Sequence, residues 1–260
     1  MLLSSLCDFL ERLAPAALAA EWDNVGLLVG DRSQPVERVL TCLTITPAVA
    51  AEAIREHAGL IVTHHPLPFR PLKRLTTDEP TGRLLWSLIR AGVAIYSPHT
   101  AFDSAAAGIN QQLAVGIGLA GIAPLVEAVA GLGVGRQGEL PQPVALAEVA
   151  ARLKQFLGIA GLHLVGDPAR LIERVGIACG SAGDLLDAAV QAGCQLFITG
   201  EARLHTCYEA EARGVSLLLA GHYASERFAA LRLAETLAAE FPTLTVWPSR
   251  DERDPLVWVS

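Results

Sequence analysis

The sequence is short of charge, and it has no basic clusters. Only 18% of its 260 residues are charged, 27 acidic residues outnumber 20 basic ones, and no run of Lys or Arg exceeds two. Phosphate backbones are gripped by clustered cations, so an extended nucleic-acid footprint is excluded. A disordered chain is excluded as well, because 52% of the residues are hydrophobic and can bury a core. The length allows one large domain or two modest ones. The five cysteines, Cys7, Cys42, Cys179, Cys194 and Cys207, contain no C-x-x-C. Their odd number and wide spacing argue against a disulfide framework. They are expected as reduced thiols, mostly small core residues, in a cytoplasmic protein.

Other signals are also missing. The N-terminus has no basic segment, and Asp8 and Glu11 interrupt its apolar run, so it does not read as a secretion signal. Residues 113–135 carry one charge, Glu127, over a length that could span a bilayer. Pro124 and six glycines break that stretch, and it lacks aromatic and basic flanks. A helix end, a turn and a buried strand are expected there, and no membrane contact. Gly133-x-Gly135-x-x-Gly138 is followed by Pro141 and Pro143 rather than by a helix, so it lacks the geometry of a dinucleotide site. It reads as a turn at a lobe boundary. Gly180-Ser181-Ala182-Gly183 lacks the nucleophile elbow of a serine hydrolase, and there is no Walker loop.

What is present is an alternation of strands and helices. Helical spacing of Leu6, Phe9, Leu10, Leu13 and Ala17 predicts a helix over 5–20, with a break or a second short turn at Pro15. Strands are expected at 27–30, 36–44, 60–63 and 93–97. Thr46 and Pro47 should open a helix running to about 57, and 81–91 reads as another. A Pro-rich connection at 139–143 precedes a helix at 146–156. Strands at 163–165, 174–179, 196–199 and 215–220 follow, with helices at 183–192 and 223–240. Residues 243–247 and 256–259 read as edge strands. Such alternation implies parallel pairings covered by helices, with ligands beyond the carboxyl ends of the strands.

The two halves echo each other. Ala58-Gly59-Leu60-Ile61-Val62-Thr63-His64-His65 resembles Gly193-Cys194-Gln195-Leu196-Phe197-Ile198-Thr199-Gly200-Glu201. His99 precedes Asp103 by four residues and His222 precedes Glu226 by four; from 99 to 222 and from 103 to 226 the shift is 123 positions in each case. The expected fold is two similar three-layer α/β lobes related by this repeat, residues 1–125 and 126–260. The linker would lie within 126–145, and the C-terminal strands could pack back on the first lobe.

Imidazole and carboxylate in this pattern suit Zn, Mn, Fe or Ni. His64 and His65 end a strand, where Pro66 forces an extended exit. His222 and Glu226 share one helical face, and Glu226 could bridge two ions. Asp103 sits in a turn or helix start. Three His and two carboxylates are too few to fill two metals, which leaves positions for water or substrate.

These residues resemble the GTP cyclohydrolase I type 2 homologues, also called the Nif-three-like family. The matches are Trp22-Asp23-Asn24-Val25-Gly26, Ile61-Val62-Thr63-His64-His65-Pro66-Leu67 and His99-Thr100-Ala101-Phe102-Asp103. Gly133-Val134-Gly135-Arg136-Gln137-Gly138-Glu139-Leu140, Phe197-Ile198-Thr199-Gly200-Glu201 and Gly221-His222-Tyr223-Ala224-Ser225-Glu226 complete them. The resemblance implies a dinuclear site with His64, His65, Asp103, His222 and Glu226 as ligands, held between two related lobes. It also implies a ring-shaped homohexamer of the short form, without a central insert. His99 and Glu201 read as residues behind the ligands, and His205 as a weaker candidate ligand. Thr44 stands where the family usually has an acidic residue.

The function expected is that of a metal-dependent hydrolase, acting through a metal-activated water on a small substrate, nucleotide-type compounds among the candidates. A metal-handling or interaction protein without turnover is the alternative. His57 and His163 fall outside the pattern.

Overall fold

A computed structural model of the chain describes residues 1–257. Along the chain come α1 (Leu3–Leu13), β1 (Gly26–Val29), β2 (Arg38–Cys42), α2 (Pro47–Arg55), β3 (Leu60–Thr63), α3 (Pro80–Arg90), β4 (Ala94–Ser97) and α4 (His99–Ser104). Then follow α5 (Ile109–Gly116), β5 (Ala120–Ala123), β6 (Val126–Val129), β7 (Leu132–Val134), β8 (Arg136–Ala145), α6 (Leu146–Leu157), β9 (His163–Val165) and β10 (Leu171–Ala178). The order ends with α7 (Leu186–Gln191), β11 (Leu196–Thr199), α8 (Leu204–Ala212), β12 (Ser216–Leu219), α9 (His222–Glu240) and β13 (Thr245–Pro248). Contacts divide the chain into two compact units. One holds residues 1–102 and the chain from Ala229 onward; the other holds residues 103–228. The units therefore part inside α4 and inside α9, whereas the expected lobes 1–125 and 126–260 concern the repeat.

In the first unit the strands order β1-β4-β3-β2-β13, with β2, β3, β4 and β13 parallel and β1 antiparallel. Successive side chains on a strand face opposite ways, and here both faces are covered. Val39, Leu60, Val62, Ala94 and Tyr96 pack with Leu3, Leu6 and Leu10 of α1 and with Leu233 and Leu237 of α9. Leu40, Cys42, Ile61 and Ile95 pack with Val49, Ala50 and Ala53 of α2 and with Leu85 and Leu88 of α3. This makes three layers, and it explains why the strands read as unbroken apolar runs. Each fully buried Leu contributes about 2 kcal/mol. Thr46 caps α2 as expected, its hydroxyl accepting the Val49 N–H at 3.2 Å.

In the second unit the order is β5-β8-β10-β11-β12-β9, beside the separate hairpin β6-β7. Phe197 and Leu217 pack with Leu186 and Ala189 of α7 and with Ala210 of α8. The two sheets share a core pattern. β10, β11 and β12 are parallel in sequence order, and β9, which precedes them, pairs antiparallel with β12. β2, β3, β4 and β1 have this same relation. The carboxyl ends of β4 and β12 lead to His99 and His222 respectively.

Several elements differ from expectation. Residues 139–143 lie within β8, not in a free connection. Glu139 pairs with Arg174 and Val144 with Ile172, so Pro141 and Pro143 sit in a bulge, where a missing N–H costs no ladder bond. Residues 113–135 form the end of α5 and the strands β5, β6 and β7, and β5 and β6 are mostly exposed rather than buried. No helix among the described residues is long and apolar enough to cross a membrane. The first helix ends at Leu13 and a short 3-10 turn, Ala16–Leu18, follows Pro15, in line with the break or second turn expected there. A 3-10 turn at Gly183–Leu185 precedes α7, and α8 carried no strong periodicity. Residues 256–257 are not strand, and 258–259 lie outside the described residues.

Candidate metal-ligand groups

In the first unit β3 delivers His64 and His65, and the start of α4, just after β4, delivers His99. The His64 and His65 N–H groups donate to the carbonyls of Cys42 and Leu43, which extends the β2–β3 ladder past the strand end. Ser97 donates to the His64 carbonyl at 2.6 Å, and Thr63 donates to the carbonyls of Leu43 and His65. With the backbone fixed in this way, one ring nitrogen from each of His64, His65 and His99 lies within 4.8 Å of the others. His64 and His99 are buried and His65 is half-buried.

Two of these rings are oriented by their second nitrogen. His65 Nδ1 lies 2.7 Å from the Thr44 hydroxyl, and His99 Nδ1 lies 2.7 Å from Asp23 Oδ1. A ligating imidazole usually uses its other nitrogen in this way, which fixes the ring and points Nε2 at the ion. His99 also has φ 22°, a conformation that a residue with a side chain keeps only when its surroundings hold it. Asp23 supplies that hold: it accepts from the His99 ring and from the Thr100 N–H and hydroxyl. Burial pushes the Asp23 carboxyl up, but the bonds from His99 and Thr100 outweigh it and bring the pKa down to about 2. The tip of β2 is fixed from the C-terminal segment, where the buried Glu252 accepts the N–H groups of Leu43 and Thr44.

In the second unit the first turn of α9 carries His222 and Glu226, with His222 Nε2 3.1 Å from Glu226 Oε2. Glu201, after β11, meets His222 Nδ1 at 3.0 Å. The hydrogen bond to Glu226 raises the His222 pKa to about 9, against the opposing effect of burial and with help from Glu201. Asp103 Oδ1 accepts from the buried Cys179 thiol at 3.2 Å. Burial pushes that thiol well up, and the charges of Asp103 and Glu226 push it the same way. Asn110 ties the two together, donating to the Asp103 carbonyl and accepting the Cys179 N–H. Gly180 is required beside them. It has φ +65°, and a Cβ there would lie 2.3 Å from Glu226 Oε1 and 3.3 Å from His222 Nε2. The backbone thus forms a cradle against these two side chains.

The donor chemistry fits a divalent cation in both units, with imidazole nitrogens in the first and imidazole with carboxylates in the second. Of the remaining candidates, His205 is exposed on α8, His57 is exposed after α2, and His163 is exposed on β9. Sequence reasoning assigned no role to Thr44 toward His65, to Asp23 toward His99, or to Cys179 and Asn110 toward Asp103. Asp23 stood in a recognisable Trp-Asp-Asn motif. Cys179 lies 76 residues from Asp103, and no local pattern marks it.

Residues 1–255 match the family model described as Duf34/NIF3 (NGG1p interacting factor 3). A Clostridium perfringens protein named GTP cyclohydrolase 1 type 2 homolog is 32% identical over 262 residues, covering 100% of both chains. A Helicobacter pylori protein named GTP cyclohydrolase 1 type 2 is 34% identical, covering 91% of each. The solved structure of a hypothetical Staphylococcus aureus protein superposes with a TM-score of 0.89 at 27% identity, over 100% of this chain and 99% of that one.

Proposed function

Because the chain belongs to the Duf34/NIF3 family, we propose that it is a metal-dependent hydrolase holding two divalent ions through His64, His65, Asp103, His222 and Glu226. The observation that carries this reading is the convergence of His64, His65 and His99 to within 4.8 Å, with two of the three rings already oriented by Thr44 and Asp23. The repeat supports it, because each half places a His and a carboxylate four residues apart after a corresponding strand. The name of the Helicobacter pylori relative suggests hydrolysis of a small nucleotide-type compound. When bound, such ions supply Lewis acidity and lower the pKa of a coordinated water.

The protein residues divide the remaining work. Thr44 and Glu201 orient His65 and His222 through their Nδ1 atoms. Cys179 and Asn110 hold Asp103, and Gly180 leaves room for Glu226. His99, anchored by Asp23, presents its other nitrogen to the same group as His64 and His65, either to an ion or to substrate. A closed homohexamer, as the family resemblance implies, is part of this reading.

Metal analysis of purified variants tests it. His222→Ala should lose one ion. Glu226→Gln should weaken both, because its carboxylate would help hold and neutralise both cations. His64→Ala and His65→Ala should each affect mainly one ion, and Asp103→Asn at least one. His57→Ala and His163→Ala should keep full content. Two ions retained in both His65→Ala and Glu226→Gln would defeat the two-metal assignment. Full metal with no turnover across nucleotides and phosphoesters would favour a metal-handling protein instead.

A further inference from the structure

Trp22 and Phe69 are large aromatic side chains that this fold leaves in solvent, 65% and 47% exposed. Single exposed apolar residues are common, but these two are adjacent and held in place. Their ring centroids lie 5.9 Å apart, tilted by 46°. Each also lies against His99, at 6.0 and 6.1 Å. His99 is in turn 5.0 Å from the His64 ring and 5.6 Å from the His65 ring.

The loops that carry the two aromatics are tied down by polar contacts from the residues next to Trp22. Asp23 is anchored on His99 and Thr100. Asn24 donates to the Pro68 carbonyl at 2.8 Å, which joins the Trp22 loop to the segment bearing Phe69. Exposed aromatic surface costs free energy, and a built polar network keeps this one exposed and in register with three imidazoles.

We propose that Trp22 and Phe69 form a platform on which a planar heteroaromatic ring stacks, and that the small molecule bound beside His64, His65 and His99 carries such a ring. The proposal rests on the reading of the imidazole group as a metal and substrate site. A ring sandwiched between two others needs them ~7 Å apart, twice a van der Waals contact of ~3.5 Å. At 5.9 Å, with planes inclined by 46°, Trp22 and Phe69 can neither sandwich a ring nor share one flat face, so the ring stacks on one of them and meets the other at its edge. Stacking on an aromatic side chain tolerates different ring chemistries, because every flat ring has a π-face. The platform therefore selects a class of compound, and the imidazole group would set the reacting position.

Calorimetric titration of the metal-loaded protein tests this, with inosine, pterin and nicotinamide riboside as ring probes and ribose as the ring-free control. At least one ring probe should bind saturably and ribose should not. Trp22→Ala and Phe69→Ala should each weaken that binding roughly tenfold, in line with stacking free energies, and Trp22→Phe should restore most of it. Metal content should be unchanged in all three variants. The proposal is overturned if no ring probe saturates, if ribose binds as well, or if Trp22→Ala keeps full affinity. A change in assembly mass in Trp22→Ala without a change in ring affinity would likewise overturn it and mark the patch as a subunit contact. Ring binding to protein that takes up no metal would leave the platform standing and remove the hydrolase reading.

Discussion

Asp23 shows how one residue couples stability to the candidate site. Its side chain is fully buried against His99, and its carboxyl titrates at about 2 rather than at the ordinary 3.8. A depressed carboxyl stabilises the fold above its unfolded pKa, and that contribution is lost as pH falls through the folded value. The shift corresponds to about 2 kcal/mol. It should be fully present above about pH 5 and lost between pH 4 and 2. Asp23→Asn should remove this acid-limb dependence, lower stability at pH 7 by a similar amount, and free the His99 ring. Urea unfolding at a series of pH values checks the first two effects. An unchanged pH profile in Asp23→Asn would contradict them. His222 has the opposite sign. In the metal-free protein its pKa is raised to about 9, so its pairing with Glu226 stabilises below the ordinary 6.5 and is lost as pH rises through about 9. If His222 is a ligand as proposed, metal binding displaces that proton. Metal uptake at pH 7 should therefore release a proton that is missing in His222→Ala, as a pH indicator in weak buffer will show.

At the scale of elements, β8 and its neighbours turn on Arg136. The side chain is buried, 2% exposed, and burial lowers its pKa. Its five N–H groups donate to Gln111 Oε1 and to the carbonyls of Gly133, Gly135, Ser104 and Ala105. The start of β8 is thereby pinned to the end of α4, just after Asp103. Arg136→Met would leave buried carbonyls unsatisfied, at a cost on the order of 3 kcal/mol, or roughly 10 °C in melting temperature for a chain of this size. Arg136→Lys should fare little better, because an ammonium lacks the planar fork. Calorimetric melting of both variants decides this, and native-like melting of Arg136→Lys would show that charge alone suffices. The sequence marks this segment as a glycine-rich turn and as part of the family resemblance, but it gives Arg136 itself no role, since a buried Arg leaves no local signature.

For the whole molecule, the proposed homohexamer predicts a scattering mass of six times the 27.4 kDa chain. A monomer at micromolar concentration would remove the hexamer. The matching relation among β1, β2, β3, β4 and β9, β10, β11, β12 gives the weak sequence repeat a structural basis. The flanking strands do differ: β13 runs parallel beside β2, whereas β8 runs antiparallel beside β10. No short-range pattern announces which partner an outer strand takes, because that choice is made by segments distant in sequence. Four of the five cysteines are buried, as expected of small core residues.

The sequence by itself determined the features whose causes are local. Continuous apolar runs specify strands covered on both faces, and Thr46 and Pro47 specify where α2 begins. A His and a carboxylate four residues apart share one helical face, and adjacent histidines at a strand end set two imidazoles side by side. Tertiary structure decided whatever depends on residues distant in sequence. It sets the Asp23 carboxylate on His99, 76 positions away, and the Cys179 thiol on Asp103. It lets two prolines lie in a bulge of β8, and it leaves Trp22 and Phe69 in solvent while their neighbours are anchored. Hydrogen bonding and packing at these places depend on which segments the fold brings within a few ångströms of each other, and local periodicity carries no record of that.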